Sequence, residues 1–150
     1  MNKLIYGVDP DSKASGIAVY LNGELKELQC MSLIQIFNHF MIETRHNECD
    51  SVELHIENLN GNKCRSFNHN KKMNAGVKYK VSESVGKCKQ VQVEIERMAE
   101  HFGIKVVQHK VSSAWKTGET QKNQFKLATK WKGRSNEDSR SAAWFGFLGL

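Results

Sequence analysis

Several common features are missing from this chain of 150 residues. It has no CxxC pair, no apolar run of membrane-spanning length, no internal repeat and no low-complexity tract. Each shortage excludes something. Four scattered cysteines, Cys30, Cys49, Cys64 and Cys88, do not make a disulfide framework, and reduced thiols are expected. His46, Cys49 and His55 fit no standard zinc-ligand spacing. Without a membrane span or the charged, apolar and small-residue regions of a signal peptide, the chain reads as intracellular, in the cytoplasm. Acid is also in short supply: 16 Asp and Glu against 22 Lys and Arg leave a net charge of +6. That balance favours an anionic partner such as nucleic acid. The length suits one domain, residues 1–150, with an ordinary hydrophobic core.

What is present begins with KLIYGVDPD, an apolar run ending in acid. Residues 3–9 read as a central strand, apolar on both faces, and Pro10 to Lys13 as a turn. A second apolar run from Gly16 meets the hairpin signal Asn22-Gly23, and a third strand follows through Leu25, Leu28 and Cys30. Ser32 with Gln35 makes a capping box for a helix to about His46. Val52, Leu54 and Ile56 alternate with Glu53, His55 and Glu57 in a strand over 51–57, which again ends on a carboxylate. From Asn58 to Lys80 periodicity fails, and a long loop is expected. Val81, Val85, Cys88, Val91, Ile95, Met98 and Phe102 then mark a helix closed by Gly103. A short strand over 104–108, a weak helix over 123–131 and a last helix from Ser135 to the C-terminus complete the order. This succession predicts an α/β fold, a mixed sheet covered by helices.

If the strands ending at Asp9 and Glu57 lie parallel and adjacent, the two acids meet at one mouth of the sheet. Paired carboxylates repel each other unless a proton or a cation compensates, and oxygen ligands favour Mg²⁺, with Mn²⁺ substituting. A third acid is available in Glu137 or Asp138. Asp138 is preferred, because Ser139, Ser141, Ala142 and Ala143 let its helix lie close to the sheet. Taken singly, each acid also has an ordinary reading, as a turn residue, a solvated strand end or a helix cap. Lys63, Arg65, Lys71, Lys72, Lys78, Lys80, Lys87 and Lys89 form a basic stretch suited to phosphates, and Phe67 and Tyr79 to stacking on bases. Lys116, beside Trp115, is a further candidate for a phosphate near the acids, or its stem covers the indole.

Tyr6-Gly7-Val8-Asp9-Pro10 followed by Gly16-Ile17-Ala18 resembles the first motif of the RuvC family of Holliday-junction resolvases. Leu54-His55-Ile56-Glu57 resembles its second. Val85-Gly86-Lys87, Ile104-Lys105-Val106-Val107 and Ser113-Ala114-Trp115-Lys116 are similar to segments of its small phage-type members. The resemblance covers nearly the whole chain, and its weight lies in the order and spacing of short motifs. It implies a ribonuclease H-like five-stranded mixed sheet flanked by helices, with Asp9, Glu57 and Asp138 as metal-binding acids. It further implies two-metal hydrolysis of DNA phosphodiesters at four-way junctions by a homodimer paired along the long helix, in the host cytoplasm if the chain is of phage origin. Two departures stand out. Asp11 lies where the family has glycine, and Ser135 and Ser141 flank Asp138 where a fourth ligand is expected, leaving adjacent Glu137 as the substitute. Two other expectations keep the fold: a ribonuclease or general branched-DNA nuclease, and a non-catalytic branched nucleic-acid-binding module. An actin-like phosphotransferase would need further glycine motifs and a longer chain.

Overall fold

The structure, a computed structural model, describes residues 2–46, 49–61 and 74–150. Its elements are β1 (Lys3–Asp9), β2 (Ser15–Leu21), β3 (Glu24–Met31), α1 (Leu33–His46), β4 (Ser51–Glu57), α2 (Ala75–His101), β5 (Lys105–His109), α3 (Glu119–Thr129) and α4 (Glu137–Phe147). The five strands make one mixed sheet in the order β3-β2-β1-β4-β5. β1, β2 and β3 form the expected antiparallel meander, turned at Asn22 and Gly23, whose φ values of 52° and 85° suit a tight hairpin. β4 and β5 run parallel to β1.

Period-two alternation divides the side chains between two cores. Tyr6, Val8, Ile17, Leu54 and Ile56 face α1 and α2, where Ile36, Phe40, Val91, Ile95 and Ala99 meet them. Ile5, Ala18 and Tyr20 face the other way, onto Trp115, Phe125, Ala142 and Ala143. The small residues of α4 bring it against the sheet, and the strands answer with glycine. A Cβ on Gly7 would overlap the Ala142 carbonyl, and one on Gly16 the Asp138 carbonyl. Tyr20 Oη donates to the Ala143 carbonyl at 2.8 Å and fastens the same contact.

Element ends depart from the sequence reading for local reasons. α1 begins as expected, with the Ser32 N–H donating to Gln35 Oε1 at 2.8 Å and the Gln35 N–H to Ser32 Oγ at 3.4 Å. α2 starts at Ala75 rather than Val81, so Lys78, Tyr79 and Lys80 are helical, not loop. Its cap is Asn74, whose Oδ1 accepts from the Val77 N–H at 2.9 Å. The first turns face no core, and no apolar repeat announces them. α3 starts at Glu119, ahead of residue 123; it buries Phe125 alone, too sparse a pattern to mark its start. α4 begins at Glu137 because Asn136 and Ser139 cap each other reciprocally, and it ends at Phe147, short of the C-terminus. β5 covers 105–109 instead of 104–108. No helix among the described residues is long and apolar enough to cross a membrane.

Candidate active site

The parallel register of β1 and β4 sets Val8 opposite Ile56, so Asp9 and Glu57 end neighbouring strands side by side. Both carboxylates are only 4 % exposed. They open with Asp138 and Lys116 into a cleft of about 280 Å³, whose other wall is α2 at Ser84, Val85, Cys88 and Lys89. Three of the expected acids therefore share one site. Glu137 does not join them; it is exposed at the first position of α4 and does not line the cleft.

Crowding of like charge out of water governs this site. Burial, then the charge of Asp9 and a hydrogen bond with it, push the Glu57 carboxyl up to about 7. Lys116 and the Ser112 N–H, 3.4 Å from Glu57 Oε1, oppose that rise. Asp138 is raised too, by burial and by Asp9, against the pull of Lys116. Lys116 Nζ lies 2.8 Å from Asp9 Oδ2 and 3.6 Å from Asp138 Oδ1. Burial alone would lower its own pKa, but Asp9, with Glu57 and Asp138, outweighs burial and raises it.

The rise at Glu57 makes stability depend on pH with a defined sign. The folded chain holds this proton up to about pH 7, whereas the ordinary carboxyl loses it near 4.5. The proton's contribution to folding is therefore complete below about pH 4.5 and lost as pH rises through about 7, on the order of 3 kcal/mol in all. Urea unfolding in EDTA should show this decline across that window, and Glu57→Gln should flatten it. An unchanged profile in the variant would place the linkage elsewhere.

Lys116 is aimed by its surroundings. Trp115 takes a left-handed φ of 61°, unusual for a bulky residue, while its N–H donates to Gln121 Oε1 at 2.7 Å. The buried Arg140 holds the next turn, with Nε donating to the Trp115 carbonyl at 3.0 Å and Nη2 to the Lys116 carbonyl at 2.7 Å. The Trp115 indole packs against Phe125, Trp144 and Phe147. Lys116 thus sets its charge against the carboxylates of Asp9 and Asp138. Asp11 lines the cleft as well, and its Oδ1 accepts from the Lys13 N–H at 3.0 Å, which makes it a turn residue at the rim.

Two groups in or beside this site went unrecognised in the sequence. Gln92, inside the α2 stripe, accepts from the Leu59 N–H at 2.7 Å and donates to Asn58 Oδ1 at 3.1 Å, tying down the chain just past Glu57. On the same face of β4, His55 bridges Glu53 at 3.1 Å and His109 at 2.8 Å. Burial opposes ionisation of Glu53, but hydrogen bonds from His55, Lys105 and Lys3 hold its carboxyl down at about 2. Strand alternation gave the shared face; the partners come from β5 and β1.

The residues suit a hard divalent cation in donor type and charge. With Asp9, Asp11, Glu57 and Asp138 ionised against Lys89 and Lys116, the cleft carries two excess negative charges, and its acids offer only oxygen. Ser141, one turn beyond Asp138, has a buried hydroxyl without a hydrogen-bond partner among the described residues. Lys116 stands between Asp9 and Asp138, and among the described residues no three His, Cys, Asp or Glu groups converge at ligating distance.

Of the basic residues, Lys89 lines the cleft, while Lys87 pairs with Glu83 at 2.9 Å. Lys78, Lys80 and the 70 % exposed Tyr79 lie in the first turns of α2. Lys63, Arg65, Phe67, Lys71 and Lys72 fall outside the described residues.

No protein-family model matches the sequence, and no curated protein matches it. Solved structures do resemble it. A Thermus thermophilus RuvC in complex with Holliday junction substrate superposes with a TM-score of 0.56, covering 97 % of this chain and 90 % of that one at 11 % identity. A second Thermus thermophilus RuvC structure gives 0.53, with 96 % and 90 % covered at 12 % identity. The likeness is one of architecture: a mixed five-stranded sheet flanked by four helices, the RuvC and ribonuclease H-like fold.

Proposed function

We propose that this RuvC-like fold carries a divalent-metal-dependent endonuclease for branched DNA, with the four-way junction as its preferred substrate. The observation behind this reading is the buried Asp9–Glu57 pair, joined by Asp138 and Lys116 at the ends of adjacent parallel strands. A RuvC of similar fold has been solved on a Holliday junction. Asp9, Glu57 and Asp138 would hold Mg²⁺ or Mn²⁺; Glu137, the further ligand of the expected set, is exposed and does not line the cleft. Bound there, the metal supplies Lewis acidity and lowers the pKa of the attacking water.

The chain's own groups do the rest. Asp9 and Glu57 sit on strand ends, where the sheet keeps them from yielding to their repulsion. Without a cation in the cleft the Glu57 carboxyl is raised to about 7, so a divalent ion bound there would displace its proton. Lys116 offsets carboxylate charge and lies close enough to meet a scissile phosphate. Lys78, Lys80, Lys87 and Lys89, with Lys63, Arg65, Lys71 and Lys72, position the phosphate backbone, while Tyr79 and Phe67 stack on bases opened at the branch. Paired nicks on symmetric strands require two such sites, hence a homodimer.

A second reading, a binding module without catalysis, draws on Ser141, which stands one turn after Asp138 where an acid would complete the ligand set. One experiment separates the two. A labelled four-way junction incubated with the protein should give symmetric nicks on a denaturing gel in Mg²⁺, and binding without nicks in EDTA. Binding without nicks in both would favour the module. Cleavage of an RNA–DNA hybrid in preference to the junction would favour a ribonuclease.

A further inference from the structure

Apart from Lys116, the proposed DNA contacts among the described residues lie on α2, on one side of the cleft. The other side carries an equal concentration of charge. Residues 120–136 contain Lys122, Lys126, Lys130, Lys132 and Arg134 and no acid. Lys122 approaches Glu119 at 3.9 Å, whereas the other four are exposed and form no ion pair among the described residues. Glu24, whose carboxylate feels the charge of Lys130, is engaged by Lys26.

The path of this segment gives the charge a direction. At one end, Ala128 to Lys130 lie beside Glu24 and Leu25, at the start of the edge strand β3. At the other, Arg134 to Asn136 lie beside Leu28 and Cys30, and Asn136 Nδ2 is 3.2 Å from Cys30 Sγ. The connector therefore runs along the sheet edge toward Asp138, over six residues of β3, roughly 20 Å. One strand of B-DNA passes about six phosphates in that length.

The connector is also held in shape. Trp131 Nε1 donates to the Arg134 carbonyl at 3.1 Å, and the Trp131 N–H to Thr129 Oγ1 at 3.2 Å. Arg140 Nη1 donates to Ser135 Oγ at 3.3 Å. These bonds fix the connector at Trp131, Arg134 and Ser135, which lowers the ordering cost of presenting its cations to a ligand.

From this placement we infer that the α3–α4 connector is a second duplex-binding rail, which guides one arm of the substrate along the β3 edge into the cleft opposite α2. It rests on the nucleic-acid reading above and adds a surface that reading does not use. The contacts are to phosphates, so the rail tracks backbone and is indifferent to sequence.

The test is the salt dependence of binding by the full chain to a four-way junction in EDTA, compared with the triple variant Lys130→Gln, Lys132→Gln, Arg134→Gln. Loss of three phosphate contacts should lower the slope of log affinity against log salt by about 2.7, which makes the affinity lost between 50 and 200 mM salt roughly 40-fold smaller. Arg97→Gln, which removes a cation paired with Glu94 at 2.8 Å on the far part of α2, should leave the slope unchanged. Circular dichroism checks that each variant is folded. An unchanged slope in a folded triple variant overturns the rail, and parental junction cleavage in Mg²⁺ then leaves the nuclease reading intact. A lowered slope in a protein that never cleaves supports the rail and removes the nuclease. No DNA binding by the parent overturns both.

Discussion

Asp9→Asn should abolish junction cleavage, by about 10³-fold or more, at or beyond the loss that follows removal of one strong electrostatic stabiliser from an active site. Binding in EDTA should persist, because the change removes negative charge from a cleft that must receive phosphate. The substitution keeps the shape of the side chain and alters only its charge. A second readout is independent of catalysis. Asp9 is one of the causes holding the Glu57 carboxyl near 7, so the variant should bring that value down, though not to the ordinary 4.5, because burial is the larger cause. Carboxyl-carbon NMR titration would follow it. Retained cleavage would remove Asp9 from the reacting centre, whatever became of Glu57.

Gly7→Ala carries the largest expected cost to stability, about 3 kcal/mol or more. The added methyl meets the Ala142 carbonyl and the Gly146 main chain, none of which can rotate away. For a domain of this size the melting temperature should fall by roughly 6–12 °C. Gly86→Ala is the contrasting case. It is a helical position with nothing near its would-be Cβ, and alanine there should be neutral or stabilise by up to about 1 kcal/mol. If both substitutions were equally mild in thermal unfolding, the close approach of α4 to β1 would be wrong.

The sequence made the acids legible because each closes a strand whose alternation is regular, and neighbouring parallel strands bring their ends together. Asp138 could be read from the small residues after it, which match the glycines of β1 and β2. The setting of Lys116 could not. Its partner Asp9 is 107 residues away, and its aim depends on Arg140 and on a strained Trp115. Arg140 sits between small residues in a helix and gives no periodic signal of a buried guanidinium. The start of α2 escaped for the opposite reason: helix without a core has no hydrophobic pattern.

That unanchored stretch has an energetic consequence. α2 buries no side chain before Val91, and its residues 75–90, roughly 24 Å of helix, carry the cleft wall at Ser84, Val85, Cys88 and Lys89 without a core beneath them. Such a length, interrupted by Gly76 and Gly86, is marginal as an isolated helix. Lys78, Lys80, Lys87 and Lys89 add mutual repulsion along it, relieved at Lys87 by Glu83. On the proposed nucleic-acid reading, neutralising those charges against a polyanion would remove the repulsion, so that this stretch and a bound strand would stiffen each other. On the nucleic-acid reading, the half of α2 that buries no side chain would thus convert the charge of a bound strand into helical order at the cleft wall it carries.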